Sequence, residues 1–176
     1  MEPNPHQSVD AGTPSPWVSR FGEKIAAKGS VLDVACGNGR HAHWFAARGY
    51  AVTAVDREVL DAIPPGVMFI EADIECGPWP FSGQAFDCVV VTNYLHRAHF
   101  PHLLAAVKRG GWLIYETFAV GNEKYGRPTR QDFLLKPGEL IELVRCKLEI
   151  AAYEHGYIES PKPAVVQRIA AYRSIL

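Results

Sequence analysis

Along the chain, short continuous apolar runs take turns with segments whose apolar residues recur at helical spacing, an order that predicts strands and helices in succession. The run 31–34, interrupted only by Asp33, passes through Gly37 and Gly39 into 40–48, where Trp44 and Phe45 share an inward face and Gly49 supplies the C-cap. This describes a buried strand that turns sharply into a helix. Residues 51–55 form the second strand, which Asp56 ends, and a third opens at Val67 after the Pro64-Pro65-Gly66 break. The segment 75–84 holds too many breakers for a crossover helix, so it reads as an ordered loop that Trp79 and Phe81 pin to the sheet. Residues 87–91 have the unbroken apolar character of a central strand covered on both faces.

A helix is expected over 100–108, closed by Gly110-Gly111, followed by a strand over 112–117 and a last helix over 137–144. Two β-like runs, 148–157 and 165–172, close the chain, and the link between them is so short that they must pair antiparallel. At the other end, Pro16 opens a helix with Trp17, Phe21 and Ile25 at i, i+4, i+8, ended by Gly29, while the proline-rich polar stretch 1–15 reads as a mobile tail. The whole is an α/β chain, a mostly parallel sheet with helices on both faces.

With 176 residues and 48% hydrophobic content, one domain over 16–176 with a substantial core is expected, and no length remains for a separate substrate domain. A net charge of −1 removes any broad attraction to nucleic acid or an anionic membrane, while a homo-oligomer stays open. Cys36, Cys76, Cys88 and Cys146 lack paired spacing, which argues against zinc and a disulfide framework and for the reducing cytoplasm. No leader-like segment or bilayer-length apolar run is present. His96, His99 and His102 drift about 120° around a helix at their spacing, so no metal ion is expected.

The chemistry concentrates at the first strand-to-helix turn. Gly37 and Gly39 let a ligand approach the main chain, the helix start favours an anionic group, and Asp56 stands where a ribose diol would find an acceptor. A nucleoside with an anionic tail is the ligand expected. Gly37-x-Gly39-x-x-Ala42 by itself also satisfies a relaxed dinucleotide fingerprint, which leaves NAD and FAD open at this point.

The fuller pattern Asp33-x-Ala35-x-Gly37-x-Gly39, with Asp56 after the second strand, resembles motif I and its following acid in the class I S-adenosylmethionine-dependent methyltransferases; Ala35 stands where that family usually has glycine. Residues 69–74, 86–94 and 110–116 resemble the family's third, fourth and fifth strands. The resemblance implies a single-domain Rossmann-like sheet of seven strands, mostly parallel with an antiparallel terminal strand. It implies S-adenosyl-L-methionine as cofactor and methyl transfer to a small-molecule acceptor by in-line displacement.

Carried onto this sequence, it assigns the cofactor to Asp33, Ala35, Cys36, Gly37, Asn38 and Gly39 at the turn, with Arg40 and His41 near the methionine carboxylate. Asp56 and Arg57 would face the ribose and Ala72, Asp73 and Ile74 the adenine. Thr92, Asn93 and Tyr94 would lie at the edge facing the methyl group; the stripe of Trp17, Phe21 and Ile25 reads as core packing, with closure of Trp17 and Arg20 over the cofactor as the alternative. If the acceptor must lose a proton, Tyr94, His96 and Glu116 are the candidate catalytic bases. The long stretch 118–135 reads as a lid, with Tyr115, Glu116, Asn122, Tyr125 and Arg127 as candidate substrate contacts; it is similar to small bacterial methyltransferases of the tellurite-resistance and thiopurine type. An NAD-dependent oxidoreductase and a non-catalytic cofactor-binding module are the alternative readings.

Overall fold

The computed structural model describes residues 12–60 and 62–175. The expected tail therefore falls largely outside the described residues; its last four, 12–15, are placed, and Ser15 caps the first helix by accepting from the Trp17 N–H at 3.1 Å. The elements run α1 (Pro16–Gly22), β1 (Ser30–Val34), α2 (Arg40–Ala46), β2 (Ala51–Asp56), β3 (Val67–Glu71), β4 (Phe86–Thr92), α3 (Phe100–Ala105), β5 (Val107–Phe118), α4 (Glu139–Val144), β6 (Glu149–Ile158) and β7 (Ala164–Tyr172). They build one seven-stranded sheet in the order β3-β2-β1-β4-β5-β7-β6. Only β7 runs against the others, wedged between β5 and β6.

Strands β1 and β4 are apolar on both sides because both sides are covered. Val31, Cys88, Val90 and Ile114 pack under α1 and α2, together with Trp17, Phe21 and Phe45. Leu32, Val34, Val89, Val91 and Tyr115 pack on the opposite face under α3 and α4. No α-helix crosses between β3 and β4; Phe81, 2% exposed, and Trp79 fill that place from the loop, as the breakers in the sequence predict.

Several boundaries differ from expectation. Helix α2 stops at Ala46 with Ala47 as its C-cap, so Gly49 lies in the turn beyond it. Helix α1 stops at Gly22, where a Cβ would lie 2.8 Å from the Trp44 ring, and the chain continues in tight turns that still bury Ile25. Helix α3 stops at Ala105 because the β-branched Val107 pairs with Phe86 and starts β5 early. Gly110 and Gly111 consequently sit inside the strand: a Cβ at Gly111 would come within 2.9 Å of the Phe86 carbonyl oxygen. The last helix begins at Glu139, after a left-handed Gly138.

The stretch after β5 is held down. Arg97 donates to both carboxylate oxygens of Glu139, at 2.6 and 2.9 Å, and to the carbonyls of Asp132 and Leu134. Asn122, 1% exposed, donates to the Pro128 carbonyl and accepts from the Val165 N–H, each at 3.2 Å, so one amide ties this stretch to itself and to β7. Replacing Asn122 by Ala removes both bonds and strands buried polar groups, at a cost of about 2 kcal/mol. Thermal unfolding of Asn122→Ala should show a melting temperature lower by roughly 4–8 °C; an unchanged value would mean that this stretch is not coupled to the core.

Candidate active site

Parallel pairing aligns Val34 with Val55 and with Val91, which brings the ends of β1, β2 and β4 to one edge of the sheet. From Val34 the chain turns through left-handed conformations at Ala35 (φ 52°), Gly37 (φ 56°) and Gly39 (φ 75°) before α2 begins. Ala35 thus holds a glycine-like conformation with a side chain attached, at a cost of about 1 kcal/mol. The turn is clasped from β2: the Cys36 N–H donates to the Val55 carbonyl at 3.0 Å and the Gly37 N–H to Asp56 Oδ2 at 2.8 Å. Asp56 Oδ1 accepts from the Glu58 N–H at 3.1 Å, so each oxygen keeps one lone pair for a ligand.

Behind the turn lies Asp33, 1% exposed. Its Oδ2 accepts from the Ala42 N–H at 3.0 Å, while its Oδ1 is buried without a hydrogen-bond partner. Burial pushes its carboxyl up to about 7, against the pull of that amide and of Arg40. One of the amides expected to await an anion at the start of α2 is therefore already taken by Asp33.

Two cavities open beside this turn. One, of about 430 Å³, lies between the ends of β2 and β3 and the segment after β4; Asp56, Asp73, Ile74 and Tyr94 line it, with Phe133 from the long loop. The other, of about 630 Å³, lies toward β5 and β7, where Arg40, Glu116 and Arg168 face the strap 13–16 and the tip of the β6–β7 hairpin. Asn93 borders both. It sits at the end of β4 with φ 54°, fixed by its N–H donating to the Glu116 carbonyl at 2.9 Å.

The residues singled out from sequence divide accordingly. Ala35, Asp56, Arg57, Ala72, Asp73 and Ile74 line the smaller cavity, together with Asn93 and Tyr94; Arg40 and Glu116 line the larger. Gly37, Asn38 and Gly39 form the turn. Cys36 is buried in the core under α2. Trp17 is no lid: at 3% exposure its indole N–H donates to the Ile169 carbonyl at 3.3 Å, and Arg20 lies over it and Phe21 at the surface. Of the expected lid contacts, Tyr115 is wholly buried and donates to the Tyr94 carbonyl at 2.8 Å, Asn122 serves the fold, Tyr125 packs against Tyr157, and Arg127 borders only a shallow outer recess.

His41 and Thr92 turn away from both cavities and meet each other. The Ser15 N–H donates to His41 Nε2 at 3.1 Å, so Nδ1 carries the proton toward Thr92 Oγ1 at 3.4 Å. Burial, helped by Arg40, lowers this imidazole to about 3 and keeps it neutral. His41 is thereby the post to which the strap 13–16 is tied.

Tyr94 is oriented in the same manner. His99 Nε2–H donates to the Ile74 carbonyl at 2.9 Å, which leaves Nδ1 to accept from the Tyr94 hydroxyl at 3.1 Å. Burial raises the phenol further above its ordinary range, so Tyr94 stays protonated. His96 borders neither cavity and stands 4.0 Å from Glu75. Glu116 Oε2 faces Arg168 Nε in a buried ion pair set off the hydrogen-bond direction, and Arg168 also reaches Glu154 at 3.3 Å. Arg168, Lys162 and Phe133 escaped the sequence reading; Arg168 is legible only once β5, β7 and β6 are in register, where it stands opposite both Glu116 and Glu154. Among the described residues, no group of three or more His, Cys, Asp or Glu is arranged to hold a metal ion, and no helix is long and apolar enough to cross a membrane.

Solved structures with the same sheet are numerous. TehB from Haemophilus influenzae superposes with a TM-score of 0.71 at 18% identity, over 92% of this chain and 62% of that one, so the chain spans about three-fifths of TehB's length. A SAM-dependent methyltransferase from Methanosarcina mazei gives 0.66 at 15% identity, over 94% of this chain and 100% of that one. Burkholderia thailandensis 1,6-didemethyltoxoflavin-N1-methyltransferase, solved with its 1,6-didemethyltoxoflavin and S-adenosylhomocysteine, gives 0.62 at 17% identity, over 96% and 80%. At such identities the likeness speaks for the fold. A search of curated proteins gave no match. The family model described as "Methyltransferase domain" matches residues 9–148, which is most of the chain and includes both the clasped turn and the end of β4, and the chain belongs to that family.

Proposed function

We propose that this chain transfers a methyl group from S-adenosylmethionine to a small-molecule acceptor in the cytoplasm, and that the two cavities meeting at Asn93 receive the adenosine and the acceptor respectively. That junction carries the reading, because in-line displacement needs donor and acceptor to approach one point from opposite sides. Four unpaired thiols support a reducing compartment.

The residues present fit the donor. The smaller cavity offers free lone pairs on Asp56 for a ribose diol and an apolar wall at Ile74 for a purine. Asp33 Oδ1, buried and unpartnered, lacks the very donor that an α-ammonium group supplies, directly or through a water, and Arg40 offers a charge for the accompanying carboxylate. When bound, S-adenosylmethionine supplies a methyl on a sulfonium, which leaves as a neutral thioether and needs no acid. The protein's share is then alignment and exclusion of water. Asp56 fixes the turn, His99 sets the distance between the Ile74 and Tyr94 segments, and His41 holds the strap over the larger cavity. Of the three candidate bases, only Glu116 reaches the acceptor side.

A thermal-shift series tests the assignment: S-adenosylhomocysteine should raise the melting temperature, and NAD and FAD at equal concentration should not. A rise with NAD alone would replace this reading with an oxidoreductase. Asp56→Ala should weaken S-adenosylhomocysteine by more than about tenfold in calorimetry, since a charged acceptor is lost from both turn and ribose; unchanged affinity would remove Asp56 from the site.

The Asp33 carboxyl predicts a pH dependence. With its folded value near 7, the free protein holds Asp33 largely protonated at pH 6 and largely ionised at pH 8, and only the ionised form attracts an ammonium group. Affinity for S-adenosylhomocysteine should therefore rise about tenfold from pH 6 to pH 8. His41, titrating near 3, contributes nothing in that window. Asp33→Asn should bind more weakly at pH 8 and show a flat profile; a flat profile in the unaltered chain would place the ammonium group elsewhere.

A further inference from the structure

The two cavities carry opposite charge. Around the smaller stand four carboxylates, Asp56, Glu58, Asp73 and Glu75, against the single cation Arg57. Around the larger stand three cations, Arg40, Lys162 and Arg168, against the single carboxylate Glu116. Arg168 is matched by Glu116 and Glu154, and Arg40 is the cation assigned above to the carboxylate of the donor; Lys162 forms no salt bridge among the described residues, so the positive charge left for an acceptor at the larger cavity is that of Lys162. Its remaining walls are mostly apolar, from Pro16, Phe118, Ile158, Pro161 and Val166.

A second, separate observation concerns the base. A protonated acceptor would need one, and none of the candidates is free to act: Tyr94 is held protonated with its hydroxyl turned to His99, His96 lies outside both cavities, and Glu116 faces Arg168. An acceptor that is already ionised needs no base.

Building on the methyltransferase reading above, we infer that the acceptor is a small organic anion with an apolar body, of the carboxylate, thiolate or acidic-phenolate class, drawn in past Lys162 at the hairpin tip and kept from the smaller cavity by its carboxylates. The transfer then balances without a proton: a lone pair of the anion forms the bond to the methyl carbon while the carbon–sulfur pair withdraws onto sulfur, so the positive charge of the sulfonium and the negative charge of the acceptor both disappear. The apolar walls and the charge of Lys162 draw the anion toward the point where this neutralisation occurs.

The test uses three probes of one shape and different charge, benzoate, benzamide and benzylammonium, measured by calorimetry on the full chain with and without S-adenosylhomocysteine. Benzoate should bind at least fivefold more tightly than benzamide, benzylammonium more weakly than either, and the benzoate advantage should shrink when salt is raised from 0.05 to 0.5 M. Lys162→Gln should reduce that advantage and Lys162→Glu abolish or reverse it, while S-adenosylhomocysteine binds both variants as it binds the unaltered chain. Lys162 is an exposed residue of a hairpin tip, so both variants should fold. Benzamide binding as tightly as benzoate, or a benzoate advantage that survives Lys162→Glu, would overturn the inference. If the preference for benzoate stands but S-adenosylhomocysteine does not bind, the anion cavity is upheld and the methyl donor assignment falls.

Discussion

The hydrogen bond from the Gly37 amide to the Asp56 carboxylate, 2.8 Å long, is the contact on which the rest of the site depends. It joins the end of β2 to the turn leaving β1, and it does so with an acid whose other oxygen is itself fixed by the Glu58 amide. Without it, three alternate left-handed residues in a span of five would have only the Cys36 and Gly39 amides to define their path. With it, the turn has one shape, and the smaller cavity beside it has a fixed wall. The parallel register between β1 and β2 sets this up, since Val34 opposite Val55 leaves Asp56, the last residue of β2, one residue past the end of β1.

The antiparallel β7 does the corresponding work on the other side. Wedged between β5 and β6, it places Arg168 opposite Glu116 and Glu154 at once, a row of alternating charge across three strands. A parallel strand would have needed a crossover long enough to cover this edge. The short 159–163 link instead leaves a hairpin whose tip borders the larger cavity, and the strap 13–16 closes the opposite side from its tie to His41. The two halves of the chain thus meet over one opening, with the neutral imidazole of His41 as the joint.

Local signals made the sheet, the turn and the smaller cavity legible. Apolar runs marked β1, β2 and β4, and the acids ending β2 and following β3 pointed to lining residues at the right edge. What escaped was whatever depends on long-range register or on competition between neighbouring elements. Trp17 has the spacing of a core residue and the chemistry of a lid, and only the Ile169 carbonyl beside its indole decides between them. Phe100 to Lys108 has helical spacing throughout, yet the pairing of Val107 with Phe86 outweighs the last helical turn. His41 next to a glycine turn suggests a ligand contact, whereas its partners, Ser15 and Thr92, are 26 and 51 residues away in sequence.

Net charge leaves room for local separation. A value of −1 excludes a broad polyanion-binding face, but it averages over an acidic cavity and a basic one that lie on either side of a single residue, Asn93. Asparagine suits that place physically, because it tolerates the left-handed conformation the strand end requires and carries no charge of its own. A charged residue there would extend one field into the other cavity and blur the boundary between them. The separation has a chemical use: a sulfonium is favoured where carboxylates surround it and an anion where cations do. On the proposed assignment of the cavities, sorting by charge delivers the two reactants to the same point from opposite sides, and the reaction there removes both charges, so the products lose the attraction that held the reactants.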